Sequence, residues 1–477
     1  MSADELSVPT CAAEWLGAMG YSPYTAMAGH VARWWRWYTA TDGWYTRTRV
    51  DWSTGSPVAR RFKVESIRPA RRVCREWASL MFDEGTEFAA EGPGANEWLH
   101  RWAAQIGLLP MGQRCVERAF ALGTGALALS FSAPADGPAS MRLRRYDARM
   151  VAPLSWDEEG VTECAFVTRA QVAGRRVTQA VLHRLDPSTG TYHVLPAMFD
   201  AEGRRVRPEG IAEDFDTGQP MPTFCLVKPA VDNLVADMSP MGQSVFEDAL
   251  GAVRAVDDAF DSLARELAVT KPKVFMSDAL LRSYRDEAGR LVAVPMAPEE
   301  TVVRAVASMS GDDTIKTFQP EIRADALRGM LDTALAELGD LCGFGQRYFT
   351  LSKPGGMKTA TEVSADSSAL MRNLRKHEAA VGAQLSAMLA AACSCAASVL
   401  GEATGDAGAV SVAWDDSIIE DTPAEKAQFL SEIAGGISSP WEYRARFKGE
   451  DEATARERAS EASGAGAAPV APGAGGL

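Results

Sequence analysis

The sequence has few residues suited to metal binding or proton transfer. It contains 5 histidines in 477 residues, and none is grouped with others at the spacing of metal ligands. It has no Gly-x-Ser-x-Gly sequence and no Gly-x-Gly-x-x-Gly sequence after a predicted strand. Because nucleophilic, acid–base and metal catalysis need such groups, we predict that the chain is not an enzyme, with no catalytic residue, no metal and no cofactor.

Two segments resemble enzyme motifs and fall short of them. The segment 355–359, GGMKT, resembles a phosphate-binding loop, but that loop needs glycine directly before the lysine, where Met357 stands. His377 and Glu378 begin like the helix of a zinc protease, but the second histidine of that motif would fall at Val381. Neither segment therefore predicts an active site.

The chain also lacks a recognisable targeting signal and a long apolar run. Its first residues, MSADELSVPT, show no basic region followed by an apolar one, as a secretion signal requires. The longest weakly polar run, Met388 to Leu400, is too short and too rich in alanine and serine to span a bilayer. We expect a soluble protein made in the host cytoplasm, with no membrane partner.

The cysteines are scattered along the chain. Without a secretion signal, reduced thiols are expected. Cys393 and Cys395 form a Cys-x-Cys pair in a predicted helix, where positions i and i+2 point in different directions and cannot easily share a metal. The eight cysteines are Cys11, Cys74, Cys115, Cys164, Cys225, Cys342, Cys393 and Cys395.

Positive charge is scarce. The 49 lysines and arginines face 63 acidic residues, which gives a formal net charge of −14 and a sequence pI near 5.0. A protein that grips DNA needs a basic surface to displace counterions from the phosphates, so tight general DNA binding is not expected. A surface past which DNA slides is compatible with this charge, because like charges reduce sticking.

The first 60 residues carry two aromatic clusters with arginines between them. Such residues can form a stacking platform for nucleic acid, or they can form a packing or subunit-interface segment, since Trp and Arg are enriched in such contacts. We favour packing or an interface. The residues are Trp34, Trp35, Trp37, Tyr38, Trp44, Tyr45 and Trp52, with Arg33, Arg36, Arg47 and Arg49.

The first half of the chain reads as mixed α and β structure. Apolar residues three and four apart predict helices over Ile67–Met81, Asn96–Gly107 and Gln113–Leu122. Residues 126–228 then show short alternating or apolar runs broken by Gly, Pro and Asp, which predict antiparallel strands. The predicted fold class is α+β.

Three longer helices are predicted in the second half. Ser244–Leu267 and Ile322–Leu341 have apolar stripes and flank short predicted strands in 273–316. Thr359–Leu400 would be about 60 Å long, which is too long for one small domain and suggests a large assembly. The face of the first helix opposite its stripe is acidic, with Glu247, Asp248, Asp257, Asp258, Asp261 and Glu266.

The last 70 residues are expected to contain little core. Val410–Trp414 is a predicted strand, and Asp421-Thr422-Pro423 is typical of the start of a helix. Ala455–Leu477 is rich in Ala, Gly, Ser and Pro without an apolar period. Most of this segment is therefore expected to be disordered.

Several segments resemble the portal proteins of tailed bacteriophages, in particular those of siphophages of the SPP1 type. They are FQPEIRADALRGMLDTALAELGDLCGF from Phe318, a glycine-bearing loop, and KTATEVSADSSALMRNLRKHE from Lys358, whose first six residues are the most specific. GQSVFEDALGAVRAVDDAFDSLAREL, before Lys271-Pro272-Lys273, and VAWDDSIIEDTPAEKAQFLSEIAGGIS also have the family's form. The resemblance covers about residues 230–450.

The resemblance implies the portal fold in a dodecameric ring. Its parts would be a wing over 1–235, a first stem helix over 236–269, a clip over 270–316 and a second stem helix over 317–344. They continue with a tunnel loop over 345–358, a long wing or channel helix and strand over 359–422, a short helical crown over 423–460 and a disordered tail over 461–477.

The resemblance also implies which residues meet DNA and neighbouring subunits. Twelve acidic subunits would make a few cations at the constriction conspicuous. Arg347, Lys353 and Lys358 are the candidates, either as loose phosphate contacts or as partners of acids on neighbouring subunits. The implied channel residues are Gln346, Arg347, Tyr348, Lys353 and Lys358. The implied stem and subunit-interface residues are Phe246, Leu250, Val253, Leu331, Leu335 and Leu338.

A portal implies a location at one capsid vertex of the virion and a set of partners. The expected partners are eleven further copies of the chain, a large terminase, major capsid and scaffolding proteins, a head–tail adaptor, and double-stranded DNA passing through the channel. The roles implied are genome packaging, DNA retention, head–tail joining and DNA ejection.

Two alternatives stay open from the sequence. One is another virion structural role, as a head–tail connector or minor capsid protein, although the chain is long for an adaptor. The other is a carboxylate or metal nuclease that uses Asp415 and Asp416. Adjacent residues in an extended segment point to opposite faces, so this pair is not a ready metal site.

Overall fold

The computed structural model organises the chain into two compact units. The first contains Met1–Gly356 and Asp366–Trp414, and the second contains Met357–Ala365 and Asp415–Leu477. The structure describes residues 8–51, 58–132, 139–172, 174–207, 213–270, 273–276, 284–285, 291–292, 302–304, 315–351, 360–414, 422–448 and 450–465.

The first unit begins with helices and a β-hairpin. These elements are α1 (Thr10–Ala18), α2 (Ala28–Tyr38), β1 (Thr46–Asp51), β2 (Val58–Lys63), α3 (Pro69–Met81), β3 (Glu87–Ala90), α4 (Pro93–Ile106) and α5 (Leu108–Leu122). Both α3 and α4 start with proline in the first turn, where its missing N–H costs nothing. The predicted helices lie within a few residues of α3, α4 and α5.

Two antiparallel sheets follow, as predicted for 126–228. Their strands are β4 (Gly125–Ser132), β5 (Ser140–Asp147), β6 (Val151–Trp156), β7 (Val161–Val172), β8 (Arg175–Asp186), β9 (Thr191–Phe199), β10 (Arg205–Val206), β11 (Phe215–Asp216) and β12 (Phe224–Val227). One sheet has the order β12-β4-β5 and the other β10-β9-β8-β7-β6, with β11 paired to β9. The two sheets share a core that includes Ala128, Tyr146, Phe166 and Phe224, and α1 packs on the other face of the larger sheet through Ala12.

A pair of helices with small sheets between them forms the next part. The elements are α6 (Leu250–Val269), β13 (Lys273–Met276), β14 (Tyr284–Arg285), β15 (Leu291–Val292), β16 (Val302–Arg304), β17 (Ile315–Phe318) and α7 (Ala324–Leu341). Strand β13 pairs with β16 and β17, and β14 pairs with β15. The end of α6 lies beside the start of α7, as the hydrogen bond from Arg323 to Glu266 shows. The two helices are therefore antiparallel.

Helix α8 (Ala360–Leu400) is the longest element. Over Ala369–Leu400 it is long and apolar enough to cross a membrane by length and composition, a longer apolar stretch than the one expected from the sequence. Leu374, Leu385 and Met388 are at most 1% exposed, and core helices of soluble proteins pass the same test. We interpret its stripe as a packing surface. Strand β18 (Val410–Ala413) follows and pairs with β3.

The second unit is helical where the structure describes it. It contains α9 (Thr422–Ala434), α10 (Pro440–Lys448) and α11 (Glu452–Ala465). Phe429, Tyr443 and Phe447 pack edge to face or tilted against one another. The expectation of disorder from Ala455 onward is wrong for 455–465, which belong to α11 and include the fully buried Ala455. The α+β class expected from the sequence is confirmed.

Candidate functional site

The turn that follows α7 holds the predicted channel residues that the structure describes. Gln346, Arg347 and Tyr348 lie together on its surface and are exposed. Arg347 interacts with another residue of the chain, so it is not a free cation in the single subunit. Lys353 and Lys358 lie outside the described residues, and their predicted role is untested.

Aromatic rings fix the base of this turn to α3. Phe344 is 2% exposed, and its ring centroid lies 4.2 Å from that of Trp77. Phe349 is 1% exposed, 5.0 Å from Phe344 between centroids, and the guanidinium of Arg72 lies 4.9 Å from its ring centroid. The turn therefore has a small hydrophobic core of its own, which joins it to the main one.

Hydrogen bonds hold the same turn at both ends. The indole N–H of Trp77 donates to the carbonyl of Cys342 at 3.2 Å, and Asn373 of α8 donates to the carbonyl of Gly343 at 2.9 Å. At the far end, the N–H of Leu351 donates to Asp332 at 2.8 Å. The chain leaves the turn from a position set by α3, α7 and α8.

Tyr348 links the exposed part of the turn back to α3. Its hydroxyl donates to Glu76 Oε2 at 3.1 Å. Burial, and then the nearby charge of Glu76 and this hydrogen bond, raise the pKa of Tyr348 well above its usual value. The phenol therefore stays protonated and cannot serve as a base at neutral pH.

The turn needs glycine for steric reasons. A Cβ on Gly339, in α7, would lie 2.4 Å from the carbonyl oxygen of Gly345. Gly343 has φ +86°, in the left-handed region that side chains rarely adopt. Close approach of α7 to the turn and the reversal after it both depend on these two residues.

His377 lies behind the turn as a neutral core residue. Its ring is 4.7 Å from that of Trp77 and 4.8 Å from that of Phe120. Nδ1 accepts a hydrogen bond from the N–H of Ala230 at 2.9 Å. Burial, and then the charge of Lys376, lower the pKa of His377 to about 4. The resemblance of His377 and Glu378 to a zinc helix has no structural counterpart, since both are buried.

The residues predicted for the stem and subunit interface are covered by the chain itself. Phe246, Val253, Leu335 and Leu338 are at most 1% exposed, and Leu331 is 4% exposed. Leu250 is half-buried. The stripes of α6 and α7 face each other within one subunit, and five of these six residues are covered by the chain itself. Their role at a contact between subunits stays a prediction.

The acidic face of α6 is also covered, by the N-terminal segment. Asp257 is fully buried and accepts hydrogen bonds from Tyr45 Oη at 2.8 Å, Ser66 Oγ at 2.8 Å and Ile67 N at 3.1 Å. Burial raises the pKa of Asp257 to about 6, although these hydrogen bonds oppose the rise. Asp261 accepts from Glu65 N. Asp257 and Asp261 are therefore part of an internal contact and cannot line a channel, whereas the side chain of Asp258 is 46% exposed.

An ion pair joins the adjacent ends of α6 and α7. Arg323 donates from Nη2 to Glu266 Oε2 at 2.8 Å and from its backbone N–H to Oε1 at 3.1 Å. Glu266 is 6% exposed, and the hydrogen bonds from Arg323 lower its pKa to about 2. The pair fixes the two chain segments where the β insert begins and ends.

The N-terminal aromatic residues form packing contacts, which confirms the favoured interpretation for those that the structure describes. Trp34, Trp37 and Tyr45 are at most 2% exposed, and the guanidinium of Arg149 lies 3.9 Å from the ring centroid of Trp35. The arginines between the clusters pair with acids of the same chain: Arg33 with Glu247, Arg36 with Asp42 and Arg47 with Asp258. They are not free to bind phosphates.

Nothing in the described ranges resembles a metal centre. No group of three or more His, Cys, Asp or Glu side chains is placed to hold an ion in these parts of the chain. All eight cysteines are free thiols, and seven are buried. Burial raises the pKa of Cys393 to about 11 and that of Cys395 to about 12, so neither is a reactive thiolate at neutral pH. Asp415 and Asp416 lie outside the described residues.

The anchors of the turn were not singled out from the sequence. Trp77 was predicted only as one position of a helical stripe, and Arg72 and Asn373 had no assigned role. Their partners, Phe349 and Gly343, are distant in sequence, so no local pattern reveals the pairing. The concentration of three aromatic residues, Phe344, Tyr348 and Phe349, around two glycines was the available signal.

Comparison with known proteins gives structural likeness only. No family model and no curated protein matches the chain. A chain from the virion of a native gene transfer agent particle is 13% identical, with a TM-score of 0.39, covering 89% of this chain and 93% of that one. Chains from two neck structures, of the native particle with C12 symmetry and of the empty particle with C6 symmetry, are each 13% identical, with TM-scores of 0.38 and 0.40. They cover 87% and 91% of this chain and 92% and 97% of theirs. Likenesses of this degree do not assign a function.

Proposed function

We propose that this chain is the subunit of a portal ring, the channel at one capsid vertex of a tailed bacteriophage or phage-like particle. The observation that carries the proposal is the order of elements around the turn after α7. An antiparallel pair, α6 and α7, bears a small β insert at one end, and the anchored turn at the other end leads into the 41-residue helix α8. This is the order of stem, clip, stem, tunnel loop and channel helix in the portal family that the sequence resembles.

The rigidity of the turn fits a loop that must act at a channel constriction. A loop that contacts moving DNA needs a base that does not move with it. Here the base is held by Trp77 and Phe344, by Asn373, and by Asp332 at the exit. Lys353 and Lys358, which follow this anchored base in the sequence, stay candidate phosphate contacts.

The remaining parts follow from this assignment. Residues 1–235 would form the wing, 270–316 the clip that meets the packaging motor and later the head–tail adaptor, and 423–460 the crown. The ring would hold twelve copies and would have a terminase, capsid and scaffolding proteins and DNA as partners. It would have no catalytic activity. Membership of the SPP1-type group is part of this proposal.

The subunit contact must lie on surfaces that the single chain leaves open. Met330 is 57% exposed and Leu341 is 54% exposed. They are eleven residues apart on α7, which is close to three helical turns, so they lie on one face. We assign this face, in place of the covered stripe, to the neighbouring stem.

Imaging of the purified protein tests the proposal. Top views should show rings with a central hole and twelvefold or near-twelvefold symmetry, and the native mass should be about twelve times 51.1 kDa. A monomer or a dimer without a channel, at high protein concentration, would sink the portal assignment.

A variant pair tests the subunit contact separately. Met330→Glu with Leu341→Glu should reduce ring formation, because two charges would be buried in the contact. Val172→Glu puts the same charge on a residue of β7 that is 45% exposed and should leave rings intact. Rings of normal yield from the α7 variant would place the contact elsewhere.

A further inference from the structure

The two sheets of the first unit separate at one end into a cleft. Ala126 and Ala128 of β4, with Tyr146 of β5, belong to the shared core. Farther along the same face, the pairs Ala128–Arg144, Ser130–Arg142 and Ser132–Ser140 follow one another in register. The inner face of this sheet therefore changes from apolar to polar and cationic while it still faces the other sheet. We call this space, of about 390 Å³, the inter-sheet cleft.

The opposite wall of the cleft is partly apolar. Val181 pairs with Pro196, and Gln179 pairs with Met198, on the larger sheet. All four line the cleft and are half-buried. Val181 also pairs with Phe166 of the shared core on the neighbouring strand. The pair Val181 and Pro196 therefore lies directly beside that core. One wall of the cleft thus carries arginines. The other wall offers an apolar surface at Val181 and Pro196, which we call the Val181–Pro196 floor.

The arginines of the cleft are not neutralised within the described residues. Arg142, Arg144 and Arg205 form no salt bridge in this part of the chain, whereas Arg207 pairs with Glu213 at 2.7 Å. Ser130 Oγ accepts a hydrogen bond from Arg144 Nε at 3.1 Å, which orients the guanidinium and leaves its two terminal nitrogens for another acceptor. Folding alone does not require two arginines on the inner face of a sheet pair, in a chain whose net charge is −14.

We propose that the inter-sheet cleft binds an extended acidic segment of a partner protein, with carboxylates on Arg142 and Arg144 and an apolar side chain on the Val181–Pro196 floor. Arg142 and Arg144 are two residues apart on one strand, a separation of about 7 Å. Alternate residues of an extended peptide have the same separation, so two of its carboxylates match the two guanidinium groups. Paired N–H groups of arginine suit carboxylates in particular. This proposal does not depend on ring formation.

Nucleic acid fits the cleft less well than a peptide. A duplex could lie only across the mouth of the cleft. Binding a polyanion also needs a longer row of cations than the three arginines without a salt bridge provide. A single strand needs open aromatic faces for its bases. Phe131, the aromatic residue near the mouth, already stacks on Phe215, with centroids 4.6 Å apart and planes 7° apart.

A binding assay on the full chain tests the proposal. The probe is a fluorescein-labelled peptide in which aspartate and leucine alternate, followed by anisotropy at low and physiological salt. We expect saturable binding that weakens about tenfold or more in the Arg142→Glu, Arg144→Glu double variant, since two charge-assisted hydrogen-bond sites are lost. The Arg142→Gln, Arg144→Gln variant removes the two charges without reversing them. It should also weaken binding, and it serves as the test if the glutamate variant does not fold.

Matched controls decide the outcome. Arg145→Glu makes one such charge reversal on the next residue of β5, which does not line the cleft and donates instead to Arg114 O, so binding should change less than about twofold. The peptide with asparagine for aspartate should not bind. Three results would each overturn the proposal: no binding of the aspartate peptide, equal loss in the Arg145 variant, or stronger binding of a poly-thymidine oligonucleotide at the same residues.

Discussion

Two buried histidines give the molecule a dependence on pH that its composition does not suggest. His183 is fully buried between Phe166 and Phe224 and is hydrogen-bonded to Thr223 at 2.7 Å. Burial lowers the pKa of His183 to about 3 and that of His377 to about 4. In the unfolded chain both would titrate near the ordinary value of 6.5. Below that pH the unfolded state therefore binds more protons than the folded one.

Substitution of His377 should reduce the loss of stability in acid. Because its pKa is lowered on folding, its stabilising contribution is present above pH 6.5 and is lost as the pH falls toward 4, by about 3 kcal/mol in all. His377→Leu should lower the free energy of unfolding at pH 7.5 by about 1–3 kcal/mol, because Ala230 N–H loses its acceptor. Between pH 6.5 and 4 its unfolding free energy should fall less steeply than that of the wild type.

Urea unfolding across this pH range measures both effects. His100→Leu, at an exposed position of α4, controls for loss of a histidine as such and should leave the stability at pH 7.5 almost unchanged. An unaltered pH slope in His377→Leu would mean that this residue is protonated in the folded state as readily as in the unfolded one.

At the scale of elements, α7 contains two glycines with opposite roles. Gly339 faces the turn, where a Cβ would meet the carbonyl oxygen of Gly345 at 2.4 Å, whereas a Cβ on Gly329 would have no atom within 4 Å. Gly339→Ala should destabilise the protein by about 1–3 kcal/mol, since helix and turn must separate. Gly329→Ala should be neutral or should stabilise it by up to about 1 kcal/mol, through helix propensity alone.

The melting temperatures of the two alanine variants give the comparison. Tryptophan fluorescence adds a local readout, because displacement of the turn would change the surroundings of Trp77. Equal melting temperatures for the two variants would contradict the close approach of α7 to the turn.

Apolar spacing predicted most helices to within a few residues but placed the start of α6 too early. The predicted start is Ser244, and the helix begins at Leu250. Residues before it are held from outside, since Val245 N and Ser244 Oγ both donate to Phe120 O. These tertiary hydrogen bonds replace the helical ones, and no local pattern records them.

The amphipathic pattern of α6 indicated correctly which residues share a face but not what covers each face. Its apolar side was expected to meet other subunits, and its acidic side had no assigned partner within the chain. The structure covers the apolar side with α7 and the acidic side with Tyr45 and Ser66, about 200 positions earlier in the chain. Periodicity shows that a face needs a partner, and only the fold identifies that partner.

At the scale of the whole molecule, the net charge does not show which acidic and basic side chains are paired with each other. Several acidic residues in and just before α6 are neutralised internally, because Glu247, Asp258 and Glu266 form ion pairs with arginines. In the inter-sheet cleft, by contrast, Arg142, Arg144 and Arg205 form no salt bridge with any residue that the structure describes. The net charge of −14 therefore does not by itself give the channel wall an acidic surface. The identity of the channel surface depends on the residues that the ring turns inward.

Deletion of Ser352–Gly356 tests the channel role of the turn at this largest scale, and it rests on the proposed function. The base of the turn and the α6–α7 pair remain, because their contacts involve residues up to Leu351, so rings should assemble with unchanged symmetry. DNA packaging or retention should be impaired, seen as fewer full heads by electron microscopy and a lower titre. A variant that replaces the five residues with glycine and serine separates loop length from loop chemistry. Assembly and packaging are scored separately. Full heads at normal titre from the deletion would rule out the role of the loop but not the ring. Loss of rings would show that the segment contributes to subunit contact instead.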